Sequence, residues 1–284
     1  MASETQQRTA GPPMRELVNK VPAVTIFFWI IKVLATTVGE TAADFLNTNL
    51  NLGLTGTTYI MGSLLVVTLF FQFRSTKYVP GIYWLAVVLI SIVGTLITDN
   101  LTDNLGVALR TTTIVFSIAL IATFAVWYSS ERSLSIHTIH TPKREAFYWL
   151  AILFTFALGT AAGDLVAEQL NLGYWVSALL FGGLIAAVGV AYFRFGLNGV
   201  LAFWVAYILT RPLGASLGDL LSQSRGDGGL GIGTTVTSGL FLVTILGLVV
   251  YLSVTGKDEQ DDMTTSGNEL TGHPGFTGNR ERVE

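Results

Sequence analysis

FFWIIKVLATTVGETAAD, residues 27–44, is the stretch on which the fold turns. Inside an apolar run it carries Trp29, then Gly39 ten residues later, then Asp44 five residues beyond that. The same spacing returns as Trp84/Gly94/Asp99, Trp149/Gly159/Asp164 and Trp204/Gly214/Asp219. The tryptophans are 55, 65 and 55 residues apart, so the first and third sets, and the second and fourth, are offset by 120. Self-similarity at fixed spacing dictates a repeat architecture. The halves share further landmarks: LNLG at 50–53 returns at 170–173, Gly62 matches Gly182, and Phe73-Arg74 matches Phe193-Arg194.

The repeated segment is too apolar for a soluble domain. Of 284 residues, 51% are hydrophobic and 12% charged, against roughly 25% charged in soluble proteins. Mean hydropathy is +0.57. The net charge of −3 is silent on nucleic acid, and with no concentrated basic patch no nucleic-acid partner is expected. With no cysteine there are no disulfides and no thiolate metal sites. No cofactor is implied.

A membrane-spanning helix takes about 20 apolar residues. Eight such stretches are read here, at 22–46, 56–73, 81–101, 107–128, 147–169, 174–194, 199–221 and 233–253. None alternates as a barrel strand does. The expected fold is therefore all-α and integral to the membrane, with the lipid bilayer as its main partner. Lys and Arg gather on one set of flanks: Arg8, Arg15, Lys20, Arg74, Lys77, Arg132, Lys143, Arg144, Arg194, Lys257, Arg280 and Arg282. The opposite loops carry only Arg110 and Arg225. This asymmetry puts both termini in the cytoplasm and the chain in the cell membrane as a multi-pass protein.

Each repeat is one Trp-Gly-Asp span followed by one plainer span. Two spans per unit is even, so the four repeats are parallel and not inverted. They are expected at 21–78, 79–131, 142–195 and 196–255. Residues 1–20 and the acidic stretch 256–284 read as mobile solvated tails. Pro212 is expected to bend the seventh span or interrupt its hydrogen-bond ladder. The sequence does not state an oligomeric order.

KVPAVTIFFWIIKVLATTVGETAADFL near the start and YILTRPLGASLGDLL near the end resemble a bacterial multi-pass membrane family built from four tandem two-helix repeats of unknown function, each with a characteristic Trp. The resemblance spans about 20–255. It implies eight membrane helices and carries no substrate, cofactor or binding residue.

Function is therefore read from the residues. Along a straight helix the Gly stands about 15 Å from the Trp and the Asp about 22 Å. Trp29, Trp84, Trp149 and Trp204 are read either as an interfacial belt or as internal packing. Gly39, Gly94, Gly159 and Gly214 mark close helix contacts. Four equivalent acids in a bilayer are expected to face the bundle or the outer water, because lipid exposure is costly. Asp44, Asp99, Asp164 and Asp219 either end their helices or line a cation path. Glu40, Asp103 and Glu168 stand four residues from a motif Asp, on the same helical face. Thr36, Thr37, Thr41, Thr95, Thr98, Thr160 and Ser216 add hydroxyls, and oxygen donors of this kind suit a hard cation.

Two cations interrupt the fourfold pattern. Lys32 is three residues after its Trp, where the other repeats have Val87, Ile152 and Tyr207. Arg211 is seven after its own, opposite Thr36, Ser91 and Phe156. Intramembrane charges pair, and Glu40 is the expected partner of Arg211. His137 and His140 in the central loop read as solvated, and RGDGGLGIG after span seven as a flexible connection without P-loop chemistry. These features point to a cation transporter, proton-coupled or carrying a divalent metal, with Glu40 the deepest site. The alternative is a non-transporting scaffold, sensor or partner-binding subunit whose acids are structural. No nucleophile, metal-ligand or nucleotide motif points to an enzyme.

Overall fold

The computed structural model describes residues 19–49 and 52–258. The chain forms eight long helices: α1 (Ile26–Asp44), α2 (Gly53–Arg74), α3 (Pro80–Asp99), α4 (Leu109–Glu131), α5 (Pro142–Asp164), α6 (Gly173–Phe195), α7 (Gly199–Ser222) and α8 (Thr234–Thr255). All eight are long and apolar enough to cross a membrane, and the described residues contain no strand. Their starts follow local chemistry. Thr25, Thr141 and Asn198 accept amide hydrogens from the first turns of α1, α5 and α7. Pro80 and Pro142 occupy the opening turn, where a missing N–H costs nothing.

The odd-numbered helices form the inner bundle and the even-numbered helices its jacket. Between 56% and 78% of the odd spans is buried, against 17% to 28% of the even ones. Inside, α1 packs on α3, α3 on α5, α5 on α7, and α7 back on α1. Outside, α2 lies on α3, α4 on α5, α6 on α7, and α8 on α1. Each repeat's second helix thus covers the first helix of the next repeat, and the last closes onto the first. The repeats interlock as a ring.

Glycine sets the spacing of that ring. A Cβ on Gly39 would fall 2.7 Å from the Ser91 Cβ, and one on Gly94 2.6 Å from that of Phe156. A Cβ on Gly159 would fall 2.5 Å from the Arg211 Cβ, and one on Gly214 2.5 Å from that of Thr36. In every case the glycine faces the residue seven after the Trp of the next repeat. Backbones can approach this closely only where no side chain intervenes.

Three inner helices end alike. After Asp44, Asp99 and Asp164 the chain widens into five-residue π-helical turns, Phe45–Asn49, Asn100–Asn104 and Leu165–Gln169. α7 instead runs unbroken through Pro212 and three residues past Asp219. The segment after it is not the loose connection its glycines suggest. It turns back on α7, with Leu230, Gly231 and Ile232 amides bonded to the Leu220, Gln223 and Leu221 carbonyls.

The Lys/Arg-rich flanks meet at one end. Lys20 pairs with Glu145 at 2.7 Å and donates to the Phe73 carbonyl, while Gln72 donates to the other Glu145 oxygen. Tyr78 donates to Asp258, and the Ala23 amide bonds to the Asp258 carbonyl. Asn19, Lys20 and Asp258 are buried. The boundaries of the expected tails therefore move: 19–20 and 256–258 belong to the folded body, because Lys20 and Asp258 find partners there. The rest of both expected tails, 1–18 and 259–284, lies outside the described residues.

Candidate functional site

The inner helices stack side chains in layers from the Lys/Arg-rich end toward the other. The first layer is aromatic. Trp84, Trp149 and Trp204 are buried and Trp29 is half-buried, so internal packing, and not a lipid belt, is the role of these residues. Each is preceded by a second ring, Phe28, Tyr83, Tyr148 or Phe203, that touches the tryptophan of the following repeat. The centroid distances are 5.6 Å for Phe28–Trp84, 5.5 Å for Tyr83–Trp149, 6.2 Å for Tyr148–Trp204 and 5.8 Å for Phe203–Trp29. The Tyr83 and Tyr148 hydroxyls meet at 2.5 Å. This layer closes one end of the bundle.

Lys32 stands next. It is fully buried, and its Nζ has no hydrogen-bond partner among the described residues. The ammonium position lies 3.9 Å from the Phe156 ring centroid and 4.1 Å from that of Tyr207. The aromatic faces replace a counter-charge, since a ring quadrupole attracts a cation most strongly when both are desolvated.

Arg211 fills the following layer, with no exposed surface. Its Nη1 donates to the Thr36 carbonyl at 2.7 Å. Its Nη2 shares its two hydrogens among three acceptors, Glu40 Oε2 at 2.8 Å, Thr160 Oγ1 at 2.6 Å and Thr95 Oγ1. The Thr95 and Thr160 hydroxyls donate back to their own helices, at the Ser91 and Phe156 carbonyls. Each therefore has lone pairs free to accept. Glu40, Thr95 and Thr160 are equivalent residues, each directly after the motif glycine. The fourth equivalent is Ala215, and its repeat supplies the arginine instead. Three inner helices thus form an oxygen cage around the guanidinium that the fourth supplies.

The carboxylates make the last layer. Oxygens of Glu40, Asp164 and Asp219 lie within 4.8 Å of one another, from three different helices. Glu40 and Asp219 are buried and Asp164 partly so. Asp44 and Asp99 are also partly buried, and Asp99 has Glu40, Asp44, Asp103 and Arg211 as electrostatic neighbours. Hard divalent cations are held by oxygens at about 2.0–2.6 Å, so ligands on one ion stand at most about 5 Å apart. The three carboxylates meet that condition.

The structure brings Glu40, Asp164, Asp219 and Arg211 together and places Lys32 one layer away. It leaves Asp103 outside: that side chain is exposed and accepts from its neighbour Thr102. Asp103 remains an electrostatic neighbour of Asp99, but it lies in the π-helical turn beyond the end of α3, none of whose residues is buried. The Glu168 side chain lies outside what the structure describes. His137 and His140 sit in the loop at the opposite end from the acids. Two groups escaped the sequence reading. The rings preceding each Trp were visible as a fourfold aromatic-Trp pair. Glu145, which locks Lys20 and Gln72, carried no signal beyond its place in the first turn of α5.

No curated protein and no solved structure matches the chain. A family model described as a repeat of unknown function (DUF347) matches four times, at residues 27–78, 82–133, 147–197 and 202–258. These four matches coincide with the four interlocked hairpins, and the chain belongs to that repeat family.

Proposed function

We propose that this protein carries a small hard cation across the cell membrane, with both termini in the cytoplasm and the carboxylate layer toward the outside. The observation that carries the reading is the approach of Glu40, Asp164 and Asp219 to within 4.8 Å in the interior of the inner bundle. Three acids in a low-dielectric site repel one another and draw in positive charge. An acidic mouth of this kind concentrates cations from the outer water. The aromatic layer and the buried Lys32 and Arg211 stand between that mouth and the Lys/Arg-rich end, so passage requires these groups to move. The oxygen-only donor set fits a divalent metal ion. The reading is of a carrier and not an enzyme, since the clustered groups are acids and hydroxyls with no nucleophile paired to a base.

A non-transporting role is favoured by one observation. The four oxygen contacts on Arg211 suit a structural lock as well as a gate. Flux separates the two. Proteoliposomes containing the full chain are expected to take up Mn²⁺ or Ca²⁺ saturably, and Glu40→Gln and Asp219→Asn are expected to abolish uptake. Folded protein that moves none of Mn²⁺, Ca²⁺ or Na⁺ contradicts the carrier reading.

A further inference from the structure

Glu40 belongs to two constellations at once. One oxygen receives the Arg211 guanidinium at 2.8 Å, and its carboxylate also forms the triad with Asp164 and Asp219. We propose that Arg211 is a tethered competitor of the cargo: a divalent cation on the triad takes the Glu40 carboxylate from the guanidinium, and the guanidinium returns when the ion leaves. The proposal rests on the carrier reading and adds the device by which binding is sensed inside the bundle.

The cage supports this assignment. Arg211 Nη2 is met by a carboxylate and two hydroxyls from α1, α3 and α5, an oxygen environment of the kind a hard cation itself seeks. The arginine enters from the one repeat that has alanine, Ala215, at the cage position. A second cation limits how firmly the cage holds it. The Lys32 ammonium and the Arg211 guanidinium carbon lie 3.9 Å and 5.6 Å from the same Phe156 ring centroid. Any positive charge on Lys32 repels the guanidinium in a medium of low dielectric, which lowers the cost of drawing Arg211 off Glu40. The Thr95 and Thr160 hydroxyls meet the same Nη2 as Glu40 and are given up with it, while the Thr36 carbonyl on Nη1 keeps the guanidinium within reach for its return.

The test is Mn²⁺ affinity of the full chain in detergent, measured by titration calorimetry for wild type, Arg211→Gln and the double variant Thr95→Val/Thr160→Val. Removing the competitor is expected to tighten Mn²⁺ binding about tenfold or more in Arg211→Gln, a difference within what one buried charged contact supplies. The double valine variant keeps every charge and weakens only the hold on Arg211, so a smaller tightening is expected. It also decides the matter if Arg211→Gln does not fold. Mn²⁺ binding to wild type with unchanged or weaker affinity in these variants overturns the competition and leaves the carrier reading standing. Absence of Mn²⁺ binding from wild type and folded variants alike overturns both. Binding by Arg211→Gln alone supports the competition even where wild type shows no flux.

Discussion

The inner bundle has two unlike ends built on one geometry. At the Lys/Arg-rich end, eight rings from four equivalent Trp pairs pass from each repeat to the next and close the axis. At the other end, Glu40 converges with the motif acids Asp164 and Asp219 near the ends of the inner helices, three of which continue as π-helical turns. The repeat fixes where side chains meet, and the layer composition fixes what the meeting does. Where all four repeats supply rings, the layer is a seal. Where they supply acids, repulsion makes the layer a site. Between the two the repeats diverge, each of two positions carrying one unrepeated basic residue, Lys32 and then Arg211, and these are the groups that tie one end to the other.

Substitutions can break this comparison at successive strengths. The largest effect is expected for Glu40→Gln, which leaves the Arg211 guanidinium buried without its counter-charge. A loss of about 3–5 kcal/mol is expected for breaking such a pair, read as thermal unfolding in detergent, together with loss of Mn²⁺ uptake. The double change Glu40→Gln/Arg211→Gln is expected to regain most of the stability and none of the uptake.

Next comes the glycine ring. Gly159→Ala puts a methyl group 2.5 Å from the Arg211 Cβ, and overpacking of this kind costs about 1–3 kcal/mol. Gly62→Ala, where a Cβ meets open space, is expected to leave unfolding unchanged or slightly raise its midpoint. Equal effects at the two positions would mean that the ring does not set the helix spacing.

At the sealed end, Tyr83→Phe removes one side of the hydroxyl pair with Tyr148. About 1 kcal/mol of stability is expected to go with it, with no change in Mn²⁺ affinity, because the pair lies at the far end from the acids. A fall in affinity would show that the two ends are coupled more tightly than the layers suggest.

The smallest expected effect concerns Tyr78, outside the spans. Burial, then the hydrogen bond and charge of Asp258, push its phenol well above the usual tyrosine range. The folded protein therefore keeps a proton that the unfolded chain releases near pH 10. The resulting stability is whole below that pH and declines as pH rises above it. Tyr78→Phe is expected to flatten this alkaline decline in a pH series of thermal unfolding curves.

Much of this was legible in the chain. Periodicity and spacing gave the eight spans, the parallel hairpins and the glycine contacts. The scarcity of intramembrane charge pointed Arg211 to Glu40. Other features were out of reach for physical reasons. Spacing along one helix does not say which neighbour it faces, so the closure of α8 onto α1 had no one-dimensional signal. Lys32, an intramembrane cation expected to pair with an opposite charge, lies instead between two rings, whose faces attract a cation and leave no mark in the charge pattern. Counting by four puts Asp103 beside Asp99, where it is found, but counting along one helix does not show where the buried part of the bundle ends, and Asp103 lies exposed beyond it.

The most direct measurement is an anomalous difference map from crystals of the full chain soaked in Mn²⁺. A peak is expected within about 2.5 Å of carboxylate oxygens of Glu40, Asp164 and Asp219, with Arg211 moved away from Glu40. A map with no peak among these three side chains, or with manganese only on the protein surface, would contradict the account.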